Sequence, residues 1–431
     1  MIRKFRFLSS LLLLLTLLSG CGNLPVNLPF FNATPTATGT PVTTPTSGPS
    51  PTSQPATPSR PDSLRLWVPP QFDPNADTDA GKLFKARLDD FASRNPGLII
   101  DVRVKAISGP ANLLDELLLT QNAAPEALPD LIALPRSDLE TGALKGALHP
   151  FDGLSEILND PDWYTYARQL GHVKNTAYGL PFAGEALLLL YHPSQLGQLP
   201  DTWEGMQSQG VTLSIPGADP AATFELCLYQ STGVKLVDEQ GNPKLDQGTL
   251  TALFAFLHAN LQNGMIPFNV TGYQNDTQSW QAYSDGFANT VVTWSSRYLM
   301  DTPADTLPAP LLGLDGTAYT VATGWSWALA GSNPSRQALA VKLAEFLVDS
   351  EFLAPWTNAA GVLPTRPNAL AAWPDKTQQA NLNAIMLSAQ LAPSEDVTTS
   401  LGPVIEEAGL KVLNGQQTPE EAAQAVIDSL K

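Results

Sequence analysis

The chain is 431 residues long and carries 41 Asp and Glu against 24 Lys and Arg, a formal charge of −17. A surface this acidic argues against nucleic acid or an anionic lipid face as the partner, and says nothing about fold. Two cysteines, Cys21 and Cys227, and four histidines in no metal-ligating spacing leave neither a disulfide framework nor a zinc site to expect, and no cofactor motif stands in the chain.

Arg3, Lys4 and Arg6 precede an apolar run from Phe7 to Leu18, closed by Ser19-Gly20-Cys21. Positive charge, a short apolar stretch and small residues make a secretory signal over residues 1–20, since a membrane span needs roughly 20 apolar residues. Leu18-Ser19-Gly20-Cys21 is similar to the bacterial lipobox, whose cysteine becomes the lipidated first residue. The alternative is an ordinary signal in which Cys21 is incidental. The expectation is a protein on the extracytoplasmic face of the cell membrane, held there only by lipid. Residues 21–62 are rich in Pro, Thr, Ser, Ala and Asn, with no charge before Arg60. That composition reads as a disordered stalk, which at ~3 Å per residue reaches on the order of 100 Å when extended.

From Ser63 the composition becomes that of a folded protein, long enough for two ordinary domains. Leu64 to Val68 alternates as a strand, Pro69 to Asp79 is a loop, and Gly81 to Ser93 has helical spacing in Leu83, Phe84, Leu88 and Phe91. Asn95-Pro96-Gly97 stops that helix. A strand over Leu98–Val104, a helix over Ala111–Thr120 and an apolar strand Leu131–Leu134 follow. This alternation predicts a parallel sheet covered by helices, with binding loops at the strands' carboxyl ends, Pro69–Asp73 and Pro135–Asp138. Cys227, within Phe224-Glu225-Leu226-Cys227-Leu228, is expected to be buried.

Several segments, taken in order, resemble the extracellular solute-binding proteins of the maltose-binding type. Phe91-Ala92-Ser93-Arg94-Asn95-Pro96-Gly97, Leu128-Pro129-Asp130-Leu131-Ile132 and Thr141-Gly142-Ala143-Leu144 look like their first lobe. Tyr178-Gly179-Leu180-Pro181, the apolar strand ending in Tyr191, and Pro200-Asp201-Thr202-Trp203-Glu204 look like the crossing into the second lobe and the helix start beyond it. Gly286 to Trp294, Trp325 to Ala330, Gly361-Val362-Leu363-Pro364-Thr365-Arg366 and Thr418-Pro419-Glu420-Glu421 continue the match. His192-Pro193-Ser194 and Thr323-Gly324 depart from the usual pattern, and the segment between Asp130 and Gly142 is brief. The resemblance implies an α/β, periplasmic-binding-protein-like fold in which two lobes, joined by a multi-strand hinge, close on a ligand. Lobe 1 is expected over 63–180 and 318–350, and lobe 2 over 181–317 and 351–431. It further implies a monomeric, non-enzymatic receptor that passes a sugar or oligosaccharide to ABC permease subunits.

A sugar has polar edges and C–H faces, so its site combines carboxylates or amides with aromatic plates. Glu185 interrupts an apolar run just after the crossing, and similar sugar-binding members use a Glu there. Trp294 ends a strand, with Ser296 following. Trp325 lies beside the return crossing, where sheet burial is the competing role; Phe182 lies in the first crossing, where hinge packing competes. Phe72 and Asp73 fall in the loop after the first strand. Arg136 and Asp138 follow the third strand, with a mutual surface ion pair as the alternative, and Trp356 precedes the Gly361 turn. An alternative function is a lipid-anchored glycoside hydrolase, which needs two carboxylates about 5 to 10 Å apart. Gly324-Trp325-Ser326-Trp327-Ala328 has only a superficial likeness to a nucleophile elbow, because no strand-to-helix turn is expected after Ser326.

Overall fold

The computed structural model describes residues 63–301, 303–331 and 333–430, so the signal, Cys21 and the stalk lie outside the described residues. Strand β1 (Ser63–Val68) pairs in parallel with β2 (Ile99–Val104) on one side and with β3 (Leu131–Pro135) on the other. The alternation of β1 sorts its side chains: Leu64, Leu66 and Val68 enter one core, and Trp67 enters the core on the opposite face. In β3 both faces are apolar, with Leu131 and Ala133 in the first core and Ile132 and Leu134 in the second. This is the pattern of a strand covered on both sides. The helix Asp79–Arg94 covers the first face with Phe84, Leu88 and Phe91, while Leu113, Leu117, Leu139 and Ala143 cover the second.

A short hairpin, β4 (His172–Val173) and β5 (Thr176–Ala177), leads into β6 (Gly179–Tyr191). Beyond it come β7 (Leu213–Ser214), β8 (Thr290–Trp294), β9 (Leu307–Ala309), β10 (Thr320–Leu329) and β11 (Ala389–Leu391). The main path runs β2-β1-β3-β10-β6-β8-β7, with β11 on β10 and β9 on β6. Strand β6 is long because it serves both lobes. Gly179 to Ala186 pair with β10, and Leu187 to Tyr191 pair with β8. Strand β10 returns the same way, pairing with β11 through Thr320–Ala322 and with β3 through Trp325–Leu329. The architecture is therefore two mixed α/β lobes joined by a multi-strand hinge.

The second lobe has its own core, in which Leu187, Leu189 and Val292 meet the helices Thr223–Ser231, Gln247–Gln262, Glu395–Leu413 and Pro419–Ser429. Cys227 is buried in that core, and the low-polarity surroundings push its thiol up to about 12. Local signals behave as their chemistry dictates. Thr202 Oγ1 accepts from the Gly205 amide at 3.1 Å to start the helix Trp203–Ser208, and Thr418 with Glu421 forms a reciprocal capping box. The helix Ser350–Ala360 packs Phe352, Leu353 and Trp356 into the core that holds Phe84 and Leu66.

At the crossing the two long strands approach through glycine. Gly324 stands opposite Gly184, and a methyl on Gly324 would lie 2.1 Å from the Ala183 carbonyl oxygen. Arg366, at the end of the Gly361 turn, is buried over the Trp163 ring at 4.1 Å, with its Nη1 3.1 Å from Asp160 Oδ2. That contact ties the turn back to the first lobe.

Candidate functional site

Where β3 ends, the helix Arg136–Leu144 begins at once, so Arg136 and Ser137 face the hinge from the first lobe. Opposite them, β8 ends at Trp294 and the helix Thr223–Ser231 begins after the Pro216–Ala222 turn. Between these ends is a groove of about 320 Å3. Pro135, Arg136, Ser137 and Glu140 line it from the first lobe, Val321 and Thr323 from β10, and Thr223, Leu226, Trp294 and Glu395 from the second lobe. Ala392 and Pro393, just past β11, complete the wall. A smaller hollow of about 170 Å3 shares Thr223 and Trp294 and adds Asp219, Asn275 and Asp276. A larger one of about 730 Å3 adjoins at Arg136, Ala392 and Pro393 and runs along the 233–237 loop, with Gln169 and Tyr319 in its wall.

Glu185 is directly opposite Thr323 in the β6–β10 ladder, and cross-strand partners project from the same face. It is half-buried, and Ser296 Oγ donates to its Oε1. Burial pushes the Glu185 carboxyl above the usual carboxylate range; Asp276 adds to that shift, while Ser296 and Arg297 oppose it. Ser296 owes its position to the turn from β8 into the helix Ser295–Asp301. Trp294 is half-buried, and its cross-strand neighbour is Leu187. Arg136 Nε lies 2.7 Å from Glu140 Oε1, and its Nη1 donates to the Ala392 carbonyl, linking the first-lobe helix to the segment just past β11. Its ion-pair partner is thus Glu140 and not Asp138. Burial raises the Asp138 carboxyl to about 6, helped by the charges of Glu395 and Asp115 and opposed by the Ser137 hydroxyl.

Other sequence candidates sit elsewhere. Phe72, Phe182 and Trp356 are only 4, 1 and 2% exposed and form one aromatic cluster, with Phe72 5.2 Å from Phe182 and 5.4 Å from Trp356. Phe182 also stacks on Trp327 at 4.4 Å. These three rings are core, because the loop after β1 folds into a short 3-10 turn, Pro70–Phe72, that turns Phe72 inward. Asp73 closes that turn and accepts from the Asn75 amide at 2.8 Å. Trp325 is half-buried at a register shift in the β6–β10 ladder, with its ring edge-on to Phe72 at 5.3 Å. Ser326 lies mid-strand, and its buried hydroxyl has no hydrogen-bond partner, so no base activates it.

Thr223, Asp219, Glu140, Thr323 and Glu395 belong to the groove or its hollow and were not singled out from the sequence. Asp219 accepts from the Ala221 and Thr223 amides at 3.0 and 3.1 Å, a role that a turn aspartate fills anywhere. Thr323 was the one with a visible signal, standing before Gly324 where a glycine pair is usual.

A family model described as bacterial extracellular solute-binding protein matches residues 86–384. No curated protein matches the chain. Among solved structures, the sugar-binding protein MalE from Xanthomonas citri is 19% identical with a TM-score of 0.70, covering 85% of this chain and 96% of its own. MalE from Listeria monocytogenes in complex with maltose is 14% identical with a TM-score of 0.70, covering 86% and 97%. The GacH receptor of Streptomyces glaucescens is 16% identical with a TM-score of 0.61, covering 85% and 97%. Likenesses at this identity establish the fold.

Proposed function

The chain belongs to the bacterial extracellular solute-binding proteins, and from that premise we propose that it captures a carbohydrate by hinge closure and delivers it, unaltered, to an ABC importer. The observation that carries this reading is the groove itself. Its walls come from both lobes, its floor is the crossing strand β10, and Trp294, Thr323, Arg136 and Glu395 give it an aromatic plate beside hydrogen-bonding groups. A sugar needs that combination. Similar folds that hold or bind maltose and other sugars support the ligand class. Trp294, which lines the groove with Arg136, and Glu185, whose carboxyl accepts from Ser296, are assigned to ligand contact, with Asp138 and Trp325 as further candidates.

The protein is proposed to work as a monomer outside the cytoplasm, anchored through lipid on Cys21 with residues 22–62 as its stalk. Among the described residues no helix is long and apolar enough to cross a membrane. Lobe 1 is assigned residues 63–180 and 318–350. Lobe 2 takes residues 181–317 and 351–431.

A thermal-shift screen over neutral sugars, polyols and oligopeptides tests the function, because a ligand that binds only the folded head raises its melting temperature with occupancy. A stabilising sugar that also compacts the head in solution scattering supports hinge capture. Turnover of that sugar, or binding without compaction, overturns it.

A further inference from the structure

The groove and the larger hollow beside it lie along one face of the crossing strands. Side chains two apart in a strand share a face, so Tyr319, just ahead of β10 in the hollow's wall, forms one stripe with Val321 and Thr323 in the groove's wall. Gln390 of β11 is opposite Val321 in the ladder and joins that stripe from the hollow side. Arg136, Ala392 and Pro393 line both spaces, so the bond from Arg136 to the Ala392 carbonyl marks where one passes into the other. The two spaces differ in what their polar groups are doing. In the groove Arg136 is held by Glu140 and Ala392, and the Thr398 hydroxyl donates to the Ser394 and Glu395 carbonyls. In the hollow the side chains of Gln169, Gln230, Gln390, Lys235 and Tyr319 have no hydrogen-bond partner among the described residues. Gln230 Oε1 is moreover buried.

We propose that the ligand is an oligosaccharide whose one end fills the groove against Trp294 and whose further units run past Arg136 into the hollow, where Gln169, Gln230 and Gln390 bind them. The inference rests on the solute-binding reading above and adds the ligand's length and a second subsite. The groove, at about 320 Å3, is at the small end of the range for ligand pockets, and the hollow beside it holds about 730 Å3. The stripe from Tyr319 to Thr323 spans ~13 Å at the usual rise of a strand, which gives a chain a continuous floor. A carboxamide both donates and accepts, as a sugar hydroxyl does. Here three amides come from three separate elements, the helices Thr165–Leu170 and Thr223–Ser231 and strand β11, so they can meet hydroxyls at separate points of one chain. A buried acceptor without a donor costs stability until one arrives, and a hydroxyl of an outer unit supplies it to Gln230 Oε1. Tyr319 adds an aromatic ring to the same wall for the C–H face of that unit.

The test titrates maltose, cellobiose and mannobiose, each with its longer oligomers up to the hexasaccharide, calorimetrically into the purified protein. On whichever backbone binds, the tetrasaccharide is expected to bind about tenfold tighter than the disaccharide, the scale of one or two added hydrogen bonds. Gln230→Leu and Gln390→Ala should each shrink that tetrasaccharide-to-disaccharide ratio, with melting curves confirming that the variants fold. A disaccharide that binds as tightly as every longer oligomer, or a ratio unmoved by both substitutions, overturns the second subsite and leaves sugar capture standing. Failure of every length on all three backbones removes the saccharide reading, and this inference with it.

Discussion

Replacing Gly324 with alanine probes the crossing on which both lobes hang. The added methyl would lie 2.1 Å from the Ala183 carbonyl oxygen and 3.1 Å from Gly184 Cα, whereas ordinary contact begins near 3.4 Å. Both obstacles are backbone of β6, so no side chain can swing away. Relief requires β10 and β6 to part by about 1 Å locally, which breaks two or three ladder hydrogen bonds at about 1 kcal/mol each. The expected destabilisation is about 3 kcal/mol, at the upper end of the usual overpacking cost. Urea unfolding followed by tryptophan fluorescence measures it as a lowered midpoint. Gly272→Ala is the control, because nothing lies within 4 Å of a methyl there, and it should fall within about 0.5 kcal/mol of the parent. If Gly324→Ala unfolds at the parent's midpoint, the two crossings are looser than their contact distances require and the hinge argument fails.

The two tryptophans at strand and turn ends should separate cleanly. Trp294→Ala is expected to weaken ligand binding by tenfold or more, about 1.4 kcal/mol, with little loss of stability, while Trp356→Ala should cost about 3 to 5 kcal/mol of stability. Calorimetry and denaturation on both variants check this, and equal effects on binding would refute the division between groove and core. Arg366→Met leaves the half-buried Asp162 with hydrogen bonds from Ser350 and the Asn368 amide but no cation, and removes the stack on Trp163; with Asp160 partly exposed, the expected loss is about 2 kcal/mol in the same urea assay. Glu225 is 3% exposed, and burial, reinforced by Asp219 and Glu406, pushes its carboxyl up to about 8 from the ordinary 4.5. A folded pKa above the unfolded one means that its contribution is complete below pH 4.5 and is lost as pH rises through about 8. Glu225→Gln should therefore match the parent at acid pH and exceed it by a few kcal/mol near pH 8; unfolding curves across that range that stay parallel would refute the burial argument.

Much of the framework is legible because local pattern and tertiary role coincide. Leu131 to Leu134 is apolar on both faces because both faces are covered, and the apolar run after Gly179, broken by Glu185, is long because β6 serves both lobes. Thr202 and Thr418 announce helix starts through oxygen atoms that then accept the expected amides. Strand β11 carries no such signal. Its three residues, Ala389 to Leu391, continue directly from the helix Lys376–Ser388, and only pairing with Thr320–Ala322 makes them a strand. The helix Ser350–Ala360 gives an equally ambiguous reading, since an apolar stripe states that a face is buried without naming the lobe that buries it.

The groove shows the same division at the scale of single side chains. Glu185, Trp294, Ser296 and Arg136 could be found because each breaks a local rule or ends an element where the chain turns toward the hinge. Phe72, Phe182 and Trp356 satisfy the same local description, yet mutual ring contacts at 5.2 to 5.7 Å turn them into core. No local sequence separates a ring that faces a ligand from one that faces another ring. The acids that were missed are hidden by the opposite problem. Asp219 has a complete explanation as a turn residue, and Glu395 has one as an acid at a helix N-terminus, where the dipole favours negative charge. A residue whose local chemistry is already satisfied gives no hint of a second role.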